Sequence, residues 1–151
     1  MKLAEALILR ADLQKRHAQL KARIIRSAKV QEGETPPEDP ARLLAEAEQV
    51  ATQLEDLLRR INRTNSTTPL DDGSTLTDAL ARRDVSRLRH ALLREVAQAA
   101  VVTQDRYSKS EVRFRSTVAI AAIEAQADDL ARSMRELEAR IQEANWRADL
   151  A

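Results

Sequence analysis

Residues 120–145 read IAAIEAQADDLARSMRELEARIQEAN. Ile120, Ile123, Ala127, Leu130, Met134, Leu137, Ile141 and Ala144 recur at alternating steps of three and four. That spacing places one apolar stripe along one side of a helix. The stretch predicts a helix over about Val118 to Asn145.

The same period appears three more times. Leu43, Ala47, Val50, Leu54, Leu57 and Ile61 predict a second helix. Asp39 before Pro40 supplies its N-cap and first helical residue, and it ends near Asn62. Leu3, Ala6, Arg10, Leu13, His17, Leu20 and Ile24 mark a first helix, from Leu3 to about Ala28, with Arg10 and His17 as polar intrusions. Gly33 and Pro36-Pro37 end it. A third helix, capped by Thr77, takes its seam from Ala81, Val85, Leu88 and Leu92 and ends near Val102. Four helices of about 22 to 28 residues are each about 33–42 Å long.

Composition agrees. The 151 residues include only 2 Gly and 4 Pro, which excludes turn-rich β and doubly wound folds. Ala, Leu, Arg, Glu and Lys exceed the roughly 50% share that marks long helices. The expected fold is all-α: a single domain over 1–151, an antiparallel four-helix bundle or coiled coil. An alternative is two helical hairpins that complete their core in an oligomer. Asp72-Gly73 is a hairpin turn signal, so a short β-hairpin is expected between helices two and three, in the polar stretch 62–77.

Charge alternates along the chain. Residues 1–30 carry +6, 31–61 carry −5, 62–77 carry −1, 78–116 carry +4 and 117–151 carry −3, within a total of +1. Complementary neighbouring segments of this kind select partner and orientation. The small total argues against a nucleic-acid partner. Arg82, Arg83, Arg87, Arg89 and Arg94 of helix three read as a solvated face beside acidic helices two and four.

No apolar run approaches the length of a membrane span. Glu5 and Arg10 interrupt the N-terminal apolar stretch, so a cytoplasmic location and no membrane partner are expected. Cys is absent, which excludes thiolate metal sites and cysteine nucleophiles. Gln14 and Arg87 stand where Glu-x-x-His iron ligation needs Glu before His17 and His90. No metal, cofactor or catalytic residue is therefore assigned, and the balance leans away from an enzyme.

The polar loops carry the unusual residues. Arg63, Asn65, Asp78, Arg82 and Arg83 at one pair of helix ends, with Arg106 and Tyr107 from the 103–117 segment of a second subunit, would form an Arg-rich inter-subunit site for a small anion. The alternative is an ion network that caps helices and sets register. The favoured partner is the chain itself, as a dimer or a higher even-numbered assembly such as a hexamer, acting as a scaffold or interaction module.

The stretches Lys2-Leu3-Ala4-Glu5-Ala6-Leu7, Ala28-Lys29-Val30-Gln31-Glu32-Gly33-Glu34, Ile61-Asn62-Arg63-Thr64-Asn65, Leu76-Thr77-Asp78-Ala79-Leu80-Ala81-Arg82-Arg83-Asp84 and Gln104-Asp105-Arg106-Tyr107-Ser108 resemble a bacterial family of uncharacterised proteins labelled septicolysin. The resemblance runs nearly end to end. It implies a small, all-helical, oligomeric cytoplasmic protein and supplies no catalytic residues. The label alone suggests a membrane-active cytolysin, which the residues do not require.

Overall fold

The computed structural model describes residues 1–103 and 113–151. The fold is all-α, with four helices: α1 (Leu3–Ser27), α2 (Pro40–Thr67), α3 (Leu76–Ala99) and α4 (Ile120–Arg147). Two compact units emerge, one of Met1–Pro69 with Glu143–Ala151, the other of Leu70–Gln142.

In the first unit α1 and α2 pack antiparallel, as their charge pairs record. Arg16 meets Glu46 at 2.9 Å, and Arg23, nearer the end of α1, meets Glu38 just before α2. Leu13, Leu20, Leu43, Val50, Leu57 and Ile61 are buried. Burying one such side chain contributes about 1.5–3 kcal/mol. Asp39 caps α2 by accepting the Ala41 N–H, as its place before Pro40 predicts. His17, expected in the seam, is exposed.

α2 continues through Thr67, five residues beyond the expected end near Asn62. The stripe simply keeps its period through Leu57, Ile61 and Thr64, all buried. The polar side chains there bond back to the helix. The hydroxyl of Thr64 donates to the Arg60 carbonyl, and those of Ser66 and Thr67 donate to the Arg63 carbonyl. Thr64 Oγ1 also accepts the Ala151 N–H at 2.9 Å. Residues 148–151 are bound close by. Leu3 N–H donates to the Ala148 carbonyl, Leu150 N–H to the Met1 carbonyl, and Arg60 Nε to the Ala151 carbonyl.

The expected β-hairpin is not formed. Among the described residues there is no strand, and backbone pairing is limited to isolated bridges such as Lys2 with Asp149. With α2 extended and α3 opening at Leu76, residues 68–75 are too few for paired strands. Instead Gly73 N–H donates to the Leu70 carbonyl and Leu70 N–H to the Ser74 carbonyl. Gly73 sits at φ +79°, a conformation that side-chain-bearing residues resist. Asp72-Gly73 therefore makes the turn without the strands.

In the second unit α3 begins at Thr75, not Thr77, as N-cap. The seam also differs from expectation. Leu76, Ala79, Ser86 and Ala97 are buried, whereas Val85, Leu88 and Leu92 are 45%, 72% and 62% exposed.

A repeat explains the choice of face. α1 and α3 align at a constant offset: Leu3-Ala4-Glu5-Ala6-Leu7 onto Leu76-Thr77-Asp78-Ala79-Leu80, Arg10 onto Arg83, Leu13 onto Ser86, His17-Ala18 onto His90-Ala91, Leu20 onto Leu93. α2 and α4 align likewise, with Ala47 onto Ala127, Leu57 onto Leu137, Arg60-Ile61 onto Arg140-Ile141 and Asn65 onto Asn145. Burial follows the alignment. Leu3, Ala6 and Leu13 are buried, and so are Leu76, Ala79 and Ser86. The caps match too: Lys2 N–H donates to the Glu5 carboxylate at 2.7 Å, and Thr75 N–H to the Asp78 carboxylate at 2.9 Å. The chain is built from two copies of one helix–helix motif.

Thr64→Val should destabilise the fold by about 0.5–1.5 kcal/mol, since it removes the hydrogen bond that Thr64 accepts from the exposed Ala151. Ser66→Ala, whose hydroxyl only bonds back to its own helix, should stay within about 0.5 kcal/mol. Urea unfolding followed by circular dichroism checks both values.

Candidate functional site

The turn ahead of α3 and the first turns of that helix hold most of the expected site residues. Asp72 is their centre. One carboxylate oxygen accepts the Ser74 N–H at 3.0 Å and the Ser74 hydroxyl at 2.5 Å. The other meets Arg82 at 3.2 Å and Arg140 at 3.4 Å. The Ser74 hydroxyl, the Ser74 N–H and Arg82, in that order, hold the Asp72 carboxyl well below the ordinary carboxylate range. Because Asp72 precedes α3 and Arg140 stands late in α4, the pair also ties the turn before α3 to the last turns of α4.

Asp78 faces its own helix start. Its carboxylate accepts the Thr75 hydroxyl at 2.7 Å and the Thr75 N–H, while its N–H donates to Thr75 Oγ1 at 3.2 Å. This reciprocal cap, with the Thr75 hydroxyl as the main cause, lowers the Asp78 carboxyl as well. Arg83 donates to its neighbour Asp84 at 2.9 Å. Within this unit, then, Arg82 and Arg83 already hold carboxylates of the chain. Arg63 and Asn65 belong to the first unit, on the last turns of α2, where Arg63 is exposed and Asn65 half-buried. Arg106 and Tyr107 lie outside the described residues.

A second constellation sits between α3 and α4. A pocket of about 290 Å³ is lined by Arg83, Arg87, His90, Ala131, Met134, Arg135 and Glu138. Arg87 approaches Glu138 only to 3.9 Å. Of these residues only Arg83 belonged to the expected site. Arg87 read as solvated surface, and Met134 as seam. The signal that could have found the pocket is the alignment of α1 with α3, in which the buried Leu3, Ala6 and Leu13 mark the inward face of α3.

The first unit has its own pocket, of about 370 Å³, where His17, Lys21, Ile24 and Ile25 face Leu44, Ala47, Glu48 and Ala51. Its wall is mostly apolar. Among the described residues no His, Cys, Asp and Glu group is placed to hold a metal ion, and no helix is long and apolar enough to cross a membrane.

A family model for a family of unknown function, DUF6847, matches residues 10–150. The chain belongs to that family. It is also similar, at 42% identity, to a functionally unknown conserved protein from Corynebacterium diphtheriae whose crystal structure has been solved. That match covers 100% of this chain and 99% of that one, with a TM-score of 0.93. No curated protein matches. The likeness confirms the all-helical fold and membership of an uncharacterised family, and neither match carries the septicolysin label.

The acid limb of stability should depend on the Asp72 turn. A carboxyl whose pKa is depressed on folding stabilises the fold above its unfolded value and loses that contribution as pH falls through the folded value. For Asp72 and Asp78 the loss should begin below about pH 4. Asp72→Asn should lower the melting temperature at pH 7 and flatten its fall below about pH 4. Thermal melts from neutral to acidic pH compare the two proteins.

Proposed function

We propose that this chain is a cytoplasmic, self-associating helical-bundle protein, antiparallel in its packing, that acts as a scaffold or interaction module without catalysis. The observation that carries the reading is the outward face of α3. Val85, Leu88 and Leu92 form an exposed apolar stripe with Ala81, at coiled-coil spacing, which ends at the exposed Glu95.

The repeat supplies an internal control. At the positions of α1 equivalent to Val85, Leu88 and Leu92 stand Asp12, Lys15 and Gln19, which are exposed and polar. The helix–helix motif therefore does not require an apolar outer face. A contiguous apolar stripe left in water marks an interaction surface.

A second copy of α3 fits this stripe. With Val85 and Leu92 at the a positions and Leu88 at d, Asp84 falls at g and Arg89 at e. In a parallel pair, g of one helix faces e of the next heptad of the other. Asp84 then meets the partner's Arg89, twice by symmetry. An even-numbered assembly, either a dimer or a multiple of it, follows from a two-fold contact of this kind. The septicolysin resemblance is kept as a family likeness, with no lytic activity attached.

Leu88→Glu/Leu92→Glu should convert the protein into a folded monomer, with helical circular dichroism retained, in sedimentation at about 10 μM, a concentration at which interfaces of ordinary affinity are filled. Asp84→Arg should weaken assembly by setting arginines against arginines, and Asp84→Arg/Arg89→Asp should restore it. A wild-type monomer at that concentration, or assembly unchanged in the double glutamate variant, overturns the reading.

A further inference from the structure

The α3–α4 pocket presents three guanidinium groups, from Arg83, Arg87 and Arg135, against one carboxylate, Glu138, with His90 beside them. Arg83 is already paired with Asp84 at 2.9 Å, so the excess positive charge is carried by Arg87 and Arg135. Glu138 engages Arg87 loosely, at 3.9 Å, and Arg135 makes no ion pair among the described residues. Two cations converge on a cleft in which a single carboxylate of the chain partly balances one of them. Met134 and Ala131 provide an apolar wall, and the volume of about 290 Å³ suits a small ligand.

Packing of the motif does not demand this charge. In α1 and α2 the residues aligned with Arg87, Arg135 and Glu138 are Gln14, Glu55 and Leu58. The first unit therefore builds the same helix pair with neutral, acidic and apolar side chains at these points. At these aligned positions basic residues stand in the second copy alone, on the face where Arg83 and His90 line the pocket.

We propose that this pocket binds a phosphomonoester: a dianionic phosphate held by Arg87 and Arg135 and, at its edge, Arg83, with a short apolar body against Met134. Guanidinium forks match phosphate oxygens two at a time, and their weak hydration favours partial burial. A dianion can engage the Arg87 and Arg135 guanidinium groups together. The site lies within one chain and stands or falls independently of self-association through Val85, Leu88 and Leu92.

The test is calorimetric titration of the full-length protein with phenyl phosphate, and with inorganic phosphate in parallel. Salt is kept at about 0.15 M so that diffuse attraction to surface arginines is screened. Phenyl phosphate should bind one per chain and more tightly than inorganic phosphate. Arg87→Gln/Arg135→Gln should weaken it by at least about tenfold, and Glu138→Gln, which removes the competing carboxylate, should tighten it. Arg132→Gln, on the same helix but outside the pocket, should leave it unchanged. Sedimentation of each variant separates loss of the site from loss of assembly. No binding to the wild type, or equal weakening by Arg132→Gln, overturns the proposal.

Discussion

A helix can bury one stripe against its neighbour, and α3 carries two. It buries Leu76, Ala79, Ser86 and Ala97 and leaves Val85, Leu88 and Leu92 in water. The buried stripe is the less hydrophobic of the two. Apart from Leu76 its side chains are small. The rejected stripe is costly to expose at about 25 cal/mol per Å² of apolar surface. The self-association we propose recovers that burial, and the basic pocket follows from the same rotation, which carries Arg83, Arg87 and His90 toward α4.

Carboxylates, more than arginines, organise the ends of these helices. Asp72 gathers Ser74, Arg82 and Arg140, and Asp78 closes the cap on Thr75. At the other helix start Glu5 takes the Lys2 N–H, and Lys2 meets Asp149 at 2.9 Å. Each acidic group near a helix N-terminus also faces the positive end of the helix dipole. An arginine cluster read from spacing alone therefore contains groups already neutralised by neighbours in the chain. The ligand chemistry we propose lies where arginines outnumber such carboxylates, between α3 and α4.

The two copies of the motif separate what packing needs from what it does not. Both keep Leu at the helix start, a carboxylate in its first turn, a half-buried Arg and a His at the same position. They part company on the outer face of α3 and α1, apolar against polar, and on the pocket lining, basic against mixed. Features kept in both belong to the fold. The two present in one copy only are the surfaces to which we attach function.

The four helices, the Asp39-Pro40 start and the whole α4 stripe were legible in the sequence, because a 3.6-residue period over seven turns leaves no competing fold. The end of α2 was not. Thr64, Ser66 and Thr67 look like loop residues until their hydroxyls find carbonyls one turn back. The β-hairpin failed for the same reason, since those residues left too little chain for strands. Sequence by itself determined helix number, period and the positions of the charges. Only tertiary structure decided which side of α3 is inside, because both of its stripes satisfy the same period and only packing against the rest of the chain selects one.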